Sequence, residues 1–442
     1  MTMTMPELQR RQFIQGGAAL GAGLSLGIPM AAWADSKNAN AAEVGVWVLI
    51  RPNDQVIIRI ARSEMGQGTL TGLAQLVAEE LECDWKNVTT EYPTPGENLR
   101  RKRAWGSYST GGSRGIRESQ EYVRQGGAAA RTMLLQAAAD LWKVPVQELS
   151  VDKGVIRHAS SKRQTSFGKV AEAASKLPVP AKVPLKDPSQ WKLIGKPIRR
   201  LDTRDKVNGK QIYAIDLKMP GMKVANIRQC PVFGGKVKSF DASAVKGMKG
   251  VQQVLAVDDN AVAVVADTFW VARTAMDQVK IEWDLGPNAN VSSASIETML
   301  NEGLQAEQAF VGNQAGDMRN AKAQASSTHS SRYFYPFLNH APLEPMNATA
   351  RWTPERCEAW VPTQDGEASL AAVIEASGLR AEQCDVHKIN LGGGFGRRGA
   401  FQDFTRQAVL IARQVPGTPI KLIWTREEDM THGHYQIGRA HV

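Results

Sequence analysis

The chain has 442 residues, of which 43% are hydrophobic and 22% charged, and its formal net charge is +10. These values exclude a disordered or fibrous chain, and the length is typical of two or three domains. The one dense basic run, at 100–103, lacks any zinc-finger or RNP-type pattern. The charge therefore indicates a solvated basic surface or a loop facing an anionic partner, and no nucleic-acid-binding protein.

The first 34 residues have the pattern of an export signal. Arg10 and Arg11 precede a glycine- and alanine-rich, weakly apolar stretch that ends in Ala32-Trp33-Ala34. We expect a twin-arginine signal peptide over 1–34 and a periplasmic protein, with membrane association as the open alternative. Because that route carries folded proteins, the signal favours a protein that already holds a cofactor.

The first half of the chain predicts a hairpin and two helices. Strand-like alternation flanks a turn at 52–54, within residues 44–60. Apolar residues at helical spacing predict a helix over 70–81, and an alanine-rich run predicts a longer one over 118–142. Four prolines make 177–190 the best candidate for a linker.

The second half alternates strands and helices. Residues 191–300 mix short strands with helices and predict an α+β module. Further along, the patterns predict strands within 331–360, 386–391 and 420–425, and helices over 366–378 and 404–415.

Two glycine-rich stretches precede predicted helices. Gly66, Gln67 and Gly68 stand before the helix at 70–81, and a second stretch consists of Thr110, Gly111, Gly112 and Ser113. Exposed backbone N–H groups in glycine turns and at helix starts bind phosphate groups well, and the Gln67 amide adds a donor without charge. A plain turn is the alternative interpretation.

A third glycine-rich stretch, INLGGGFGRRG at 389–399, satisfies the G-x-G-x-x-G pattern of dinucleotide-binding Rossmann units. It follows a predicted strand and precedes a predicted helix. However, the expected acid is not found about 20 residues on, and the residues that follow are too few for the remaining parallel strands. A Rossmann oxidoreductase and a simple strand-to-helix turn remain alternatives.

The four cysteines, at positions 83, 230, 357 and 384, form no C-x-x-C pair or ferredoxin-type run. They therefore predict neither a zinc site nor an Fe–S cluster in this chain. Burial as free thiols and disulfide formation both remain open.

Several motifs, in this order, resemble the molybdopterin-binding large subunit of the xanthine dehydrogenase family. Within it the chain is most similar to the isoquinoline 1-oxidoreductase beta subunit and related periplasmic aldehyde dehydrogenases. The resemblance covers 43–435 and rests on EMGQGTLTGLAQLVAEEL (64–81), STGGSRG (109–115), LIGKPIRRLDTRDKVNGKQIYAIDLKMPGM (193–222), NHAPLEPMNATA (339–350), WVPTQD (360–365), GGGFGRR (392–398) and TREEDMTHG (425–433).

The resemblance implies an α+β, multi-domain fold. The early position of the MGQG segment implies a circularly permuted molybdopterin-binding domain, with one part over 43–160 and another over 310–435. Between them, 191–300 resembles the hammerhead domain of the family.

The resemblance also implies a molybdopterin cytosine dinucleotide, whose dithiolene holds the molybdenum without a protein ligand. Its binding residues would be those of the first two glycine stretches, together with Gln364, Gly393, Gly394, Phe395, Gly396 and Arg397. Gln364 would donate toward a molybdenum ligand, and the 395–396 backbone would pass close to the metal's ligands. Glu344 matches a family position and is interpreted as structural, with a solvated surface acid as the alternative.

The implied reaction is hydroxylation of an electron-poor carbon with oxygen from water. Xanthine enzymes carry an acid where this chain has Arg397-Arg398-Gly399, which argues against purines and leaves N-heteroaromatic compounds and aldehydes. The sequence leaves open whether Arg397 and Arg398 contact pterin, substrate or protein. Electrons would leave through a separate subunit with two [2Fe–2S] clusters, with a cytochrome c as a further candidate acceptor. A non-catalytic periplasmic binding protein is the alternative from another class.

The last seven residues, QIGRAHV at 436–442, depart from the family pattern and match one reading frame of a sequencing-library adapter. We expect a non-native tail on a truncated chain. The glutamate that serves the family as general base has no counterpart in the sequence and would lie in the missing part, so the fragment alone would be inactive.

Overall fold

The computed structural model describes residues 40–308, 310–399 and 401–434. The predicted signal peptide and the predicted tail lie outside these residues. Within them the chain has the expected α+β character, with sheets of four, seven, two and three strands.

The strands are β1 Ala42–Glu43, β2 Val48–Ile50, β3 Val56–Arg59, β4 Val88–Glu91, β5 Leu149–Asp152, β6 Val155–His158, β7 Arg163–Ser166, β8 Lys223–Gln229, β9 Lys236–Asp241, β10 Val251–Val257, β11 Ala261–Ala266, β12 Lys280–Asp284, β13 Asn347–Trp352, β14 Cys357–Val361, β15 Cys384–Lys388 and β16 Ile420–Ile423. The helices are α1 Thr69–Leu81, α2 Pro95–Arg100, α3 Arg114–Arg117, α4 Gln120–Trp142, α5 Phe167–Ser175, α6 Thr203–Val207, α7 Phe269–Met276, α8 Ser293–Gly303, α9 Met318–Gln324, α10 Gly366–Ser377, α11 Asp403–Gln414 and α12 Arg426–Thr431.

The first sheet has the order β1-β2-β3-β4 and packs against α1, α4 and α5. β2 and β3 form the predicted antiparallel hairpin, and β3 pairs in parallel with β4 through the crossover helix α1. α4 lies close to α1 because Gly127 faces the α1 backbone, where an added Cβ would stand 2.5 Å from the Val77 carbonyl oxygen. This core includes Val170 and Ala174, so it extends beyond residue 160.

The seven-stranded sheet has the order β10-β11-β8-β16-β13-β14-β15. β11 is buried on both faces, with Val262 and Val264 toward α7 and Ala263 and Val265 toward the core that α10 and α11 cover. The parallel pair β8 and β16 joins strands from 191–300 to strands from 347–423 in this one sheet. The domain boundaries stay predictions. The seven-stranded sheet contains strands from both of the predicted domains 191–300 and 310–435.

The predicted linker, 177–190, lies against α1 and α4. Val183 is buried beside α4, and the Lys186 ammonium pairs with Glu79 on α1 at 2.8 Å. The other carboxylate oxygen of Glu79 accepts N–H groups from Lys192, Leu193 and Ile194 at 2.6–3.2 Å. The stretch after α5 is therefore fixed along α1 by its own hydrogen bonds.

The prediction of strands over 331–360 is correct only in its second part. β13 and β14 form, whereas 331–346 belong to none of the four sheets of the described residues. Tyr333, Tyr335 and Leu343 are 78%, 75% and 91% exposed. A strand needs a continuous neighbour for its backbone groups, and within the described residues this stretch has a single bridge position, Leu338, and isolated bonds such as that from the Glu344 N–H to the Gly392 carbonyl.

The described helices include none that is long and apolar enough to cross a membrane.

Candidate cofactor-binding site

Two crossover units bring the carboxyl ends of their strands together. β3 leads through 60–68 into α1 and pairs in parallel with β4. β14 leads through 362–365 into α10 and pairs in parallel with β15, which is followed by the glycine-rich 389–399. The Leu391 N–H donates to the Glu64 carbonyl at 3.2 Å, so the two units touch at these ends. Loops at the carboxyl ends of parallel strands are the usual ligand sites of such sheets.

We name the three glycine-bearing segments the first loop (63–68), the second loop (110–113) and the third loop (392–398). Gln364 joins the second loop to the third. Its side-chain amide donates to the Thr110 carbonyl at 2.9 Å and accepts the Gly396 N–H at 2.9 Å, and its backbone carbonyl accepts the Thr110 N–H at 2.7 Å. Gln364 is 4% exposed, so these bonds fix the predicted site residue rigidly.

Gln364 owes its position to the end of β14 and the start of α10. Asp365 caps the helix by accepting the N–H groups of Glu367 and Ala368, which is the role that Asp favours at this position. One amide N–H of Gln364 is used by Thr110, and a primary amide carries a second. Its role toward a molybdenum ligand stays a prediction.

The first loop is folded around the Glu64 carboxylate. Glu64 is 1% exposed and accepts the N–H groups of Gly66, Gly68 and Leu70 at 2.8–3.0 Å. The Gln67 side chain donates to the Ser63 carbonyl at 2.8 Å and accepts the Met65 N–H at 2.7 Å. Several donors predicted to bind phosphate are therefore engaged inside the loop, although Gly66 and Gln67 lie on the exposed surface.

The second loop lies beside the first. The Thr110 hydroxyl accepts the Ser63 N–H at 2.9 Å, and an added Cβ on Gly115 would stand 3.2 Å from the Thr69 hydroxyl. Gly112 and Ser113 both have φ of +57° and are exposed. The second loop therefore presents this part of its backbone at the protein surface.

The third loop passes so close to its neighbours that a side chain would not fit. An added Cβ on Gly394 would stand 2.5 Å from the Gln364 amide oxygen and 2.8 Å from the Met65 sulfur. The Phe395 backbone has φ of +56°, which is rare for a bulky residue, and its ring is 63% exposed. Backbone strain at an exposed aromatic is the kind of feature found at ligand sites.

The side chains of Arg397 and Arg398 contact protein groups in this structure. Both are fully buried. The Arg397 guanidinium binds both carboxylate oxygens of Asp403 at 3.0 and 2.9 Å, and the Arg397 backbone N–H donates to the Gly394 carbonyl. Arg398 donates to the carbonyls of Gly393 and Glu344 at 3.2 and 2.6 Å. The predicted cofactor contact of Arg397 stays untested, but its guanidinium is committed to Asp403.

Glu344 binds the start of the third loop through its carboxylate, in agreement with its structural interpretation. It is 7% exposed, so the alternative of a solvated surface acid is wrong. Its carboxylate accepts the N–H of Gly392 at 2.8 Å, the N–H of Ile215 at 3.0 Å and the amide of Asn347 at 3.1 Å. An Arg398 nitrogen lies 3.5 Å from the same carboxylate.

His340 and Lys388 are among the residues near the loops that sequence reasoning missed. The His340 ring lies 3.6 Å from an added Cβ on Gly396, and burial together with the charge of Arg397 lowers the pKa of His340. The Lys388 ammonium lies between the Tyr92 and Tyr108 rings at 4.5 and 4.7 Å and donates to the Ala61 carbonyl, and burial lowers its pKa to about 7. The only sequence signal for Lys388 is a cation within the apolar pattern of β15.

The Rossmann interpretation of the third loop is not supported by its surroundings. In a Rossmann unit the glycines open directly into the helix and the flanking strands are neighbours. Here α11 begins at Asp403, after Gly399, and β13 and β14 separate β15 from β16. β13 is moreover antiparallel to both β14 and β16.

No group of three or more His, Cys, Asp or Glu side chains suited to hold a metal ion occurs in the described parts of the chain. The four cysteines are buried as free thiols, which settles the alternative of a disulfide within this structure. Burial raises the pKa of the Cys83 thiol to about 12, so this group is inert.

Two family models, both described as molybdopterin cofactor-binding domain, match residues 5–216 and 302–440. A membrane-bound aldehyde dehydrogenase [pyrroloquinoline-quinone] of Gluconacetobacter polyoxogenes is 30% identical over 96% of this chain and 56% of its own length. The isoquinoline 1-oxidoreductase subunit beta of Brevundimonas diminuta is 28% identical over 98% of this chain and 61% of its own length. A crystal structure of quinoline 2-oxidoreductase from Pseudomonas putida 86 matches with a TM-score of 0.44 at 18% identity, over 53% of this chain and 35% of that one.

The chain belongs to the molybdopterin-binding large subunits of the xanthine dehydrogenase family. It spans 56% and 61% of the lengths of the two curated relatives.

Proposed function

We propose that the three loops hold a molybdopterin cofactor and that the protein is an oxidoreductase acting on an N-heteroaromatic or aldehyde substrate. One observation carries the proposal: the first loop, the second loop and the third loop meet around Gln364, at the carboxyl ends of two crossover units. The matched family models and the names of the two relatives support it.

The residues present fit such a cofactor. A pyranopterin dinucleotide carries a pyrophosphate and a flat polar ring system, which need N–H donors and close backbone approach. The N–H groups of Gln67 and Thr69 have no acceptor among the described residues, and in the second loop Gly112 and Ser113 are exposed. Gly394 is buried, and an added Cβ there would stand 2.5 Å from the Gln364 amide oxygen, so only glycine allows this close backbone approach.

When bound, the molybdenum cofactor supplies the redox centre for oxygen transfer from water. The chain's own residues bind and orient. We propose that the first and second loops take the phosphate groups, that the amide of Gln364 and the backbone of 393–396 face the metal end, and that the exposed Phe395 ring lies on the substrate side. No residue of the described chain is proposed as general base, because Glu344, the acid beneath the third loop, already accepts three hydrogen bonds.

Three finer statements belong to the same proposal. The cofactor is the cytosine dinucleotide form, and electrons leave through a subunit with two [2Fe–2S] clusters or onward to a cytochrome c. The protein works in the periplasm, for which the twin-arginine pattern at 10–11 is the support. Substrates are aldehydes or N-heteroaromatic compounds rather than purines, consistent with the relatives named for aldehyde and isoquinoline oxidation.

The test is analysis of the protein purified with an affinity tag from its own host. We expect about one molybdenum per chain, cytidine monophosphate on acid hydrolysis and a co-purifying Fe–S subunit, since the cofactor carries the chemistry. Bound NAD without molybdenum would instead support the Rossmann alternative. Protein that retains neither would support a non-catalytic binding protein.

A further inference from the structure

We infer that Glu64 and Arg200 form a clamp that positions the first loop for the cofactor's phosphate groups. The inference rests on the proposed function, and it assigns a task to two residues that contact loop backbone rather than ligand. Arg200 lies 136 residues beyond Glu64, in the segment that leads toward α6.

The acid arm of the clamp closes the loop from inside. One oxygen of the Glu64 carboxylate accepts the N–H groups of Gly66 and Gly68 at 2.8 and 3.0 Å, and the other accepts the N–H of Leu70 at 3.0 Å. Gly66 and Gly68 have φ of +110° and +90°, conformations that only glycine adopts readily. A loop with this much backbone freedom needs an internal acceptor to keep one shape.

The basic arm holds the loop from outside. Arg200 donates to the Glu64 carboxylate at 3.0 Å and to the Gly66 carbonyl at 2.8 Å. Its guanidinium is itself fixed by two bonds of 2.9 Å to Asp202, which pairs with Lys206 at 2.5 Å. A planar guanidinium can make these contacts together, whereas a lysine ammonium cannot.

The charges suit a site for an anion. Glu64 alone would repel a phosphate, but Glu64, Asp202, Arg200 and Lys206 form one connected group with two negative and two positive charges. The clamp therefore gives the loop its shape without adding net negative charge. It also decides which donors remain, because it uses Gly66, Gly68 and Leu70 and leaves the N–H groups of Gln67 and Thr69 with no acceptor among the described residues.

The clamp continues into α1. The Leu201 N–H donates to the Thr71 hydroxyl at 3.0 Å, which ties the Arg200 segment to the first turn of the helix. The N-terminal end of α1 is the place where an anion gains most from the helix dipole. Loop and helix end are thus held as one unit.

The experiment compares Glu64→Gln with Glu80→Gln in the holoprotein. Glu80 is a matched control, because it lies on α1, is fully buried and pairs with Arg124 at 2.8 Å, but contacts no glycine loop. In Glu64→Gln the amide nitrogen would face an N–H donor. We expect molybdenum retention after dialysis to fall by about 10- to 100-fold, the range found when groups supporting a bound cofactor or metal are removed. Glu80→Gln should retain its molybdenum.

A second readout does not depend on the cofactor. Hydrogen exchange at the amides of Gly66 and Gly68 should be slow in the wild-type protein and about tenfold faster or more in Glu64→Gln. A tenfold change corresponds to about 1.4 kcal/mol, which is close to the contribution of one such hydrogen bond. Arg200→Lys should show the same direction with a smaller effect, which keeps the test open if Glu64→Gln folds poorly.

The outcomes separate the two proposals. Wild-type protein without molybdopterin would contradict the proposed function, while the exchange data would still decide on the clamp. Equal retention of molybdenum in Glu64→Gln, Arg200→Lys and Glu80→Gln would overturn the clamp and leave the proposed function standing. Rapid exchange of Gly66 and Gly68 in the wild-type protein would also overturn it.

Discussion

Two buried glutamates lie beneath two glycine loops, and they are held very differently. Glu64 beneath the first loop and Glu344 beneath the third each accept glycine N–H groups and each lie against an arginine. The Arg398 side chain beside Glu344 is fully buried and donates to backbone carbonyls, whereas the Arg200 side chain beside Glu64 is 34% exposed and anchored on Asp202. The third loop is thus anchored in the protein core by buried groups, with Phe395 and Gly396 exposed, and the first is a surface loop kept in shape by a clamp.

This difference predicts how each loop responds to substitution. Changes beneath the third loop should act on folding, because a buried cation and acid cannot be separated without leaving one uncompensated. Changes beneath the first should act on the ligand before the fold, because solvent can replace part of what Arg200 contributes.

The largest expected effect is that of Arg398→Met. Removing this buried cation leaves the Glu344 carboxylate and four backbone carbonyls without this partner, and we expect a loss of about 3–5 kcal/mol in the free energy of unfolding. Arg200→Met, the matched change beneath the first loop, should cost about 1 kcal/mol or less. Denaturant unfolding measures both, and equal losses would remove the contrast between the loops.

The next effect concerns space around the loop glycines. Neither Gly392 nor Gly111 has a positive φ, so substitution by alanine tests packing alone. An added Cβ on Gly392 would stand 2.5 Å from the Glu344 Cβ. An added Cβ on Gly111 would have no heavy atom within 4 Å among those considered. We expect Gly392→Ala to cost about 1–3 kcal/mol and Gly111→Ala almost nothing. Thermal unfolding measures both variants, and equal midpoint temperatures for Gly392→Ala and Gly111→Ala would contradict this prediction.

Lys388 connects the two regions, since it precedes the third loop and donates to Ala61 before the first. Its pKa is lowered to about 7, chiefly by burial. Between pH 7 and its ordinary pKa near 10.4 the unfolded chain binds more protons than the folded one, so stability should rise with pH across that window. We expect a gain of about 2 kcal/mol from pH 7 to pH 9. Lys388→Met should lack this gain in urea titrations; parallel curves would contradict the assignment.

The smallest effect is expected at Phe395. Its ring is 63% exposed, so Phe395→Ala should change the free energy of unfolding by no more than about 0.5 kcal/mol. Phe404→Ala, in the buried start of α11, should cost about 3–5 kcal/mol. A large loss at Phe395 would mean that the ring serves the fold and not the proposed substrate side.

Local pattern was enough for much of the fold. The predicted helices at 70–81, 118–142, 366–378 and 404–415 correspond to α1, α4, α10 and α11, because each has a sustained apolar face that tertiary packing then buries. Strand-like alternation at 331–346 failed, since a strand also depends on a neighbour that the local sequence does not specify.

The sequence was enough to predict the three loops of the candidate site. It was not enough to predict the buried side chains that hold these loops in place. Glycine spacing pointed to all three loops, and the WVPTQD motif pointed to Gln364. Glu64 was missed because an acid before a helix is usually a solvated residue, and its partner Arg200 is far away in sequence. The contacts of Arg397 and Arg398 were also not predictable, because only the fold shows that both side chains are buried.

The central claim is that the three loops bind one molybdopterin. The most direct measurement is amide hydrogen exchange of the protein purified with cofactor, compared with the same protein from a host that cannot synthesise molybdopterin. We predict slower exchange at 63–70, 110–113 and 392–396 in the loaded protein, and no change in β8 and β11 of the central sheet. Loop exchange that is the same in both preparations, although molybdenum is present in one, would contradict the claim.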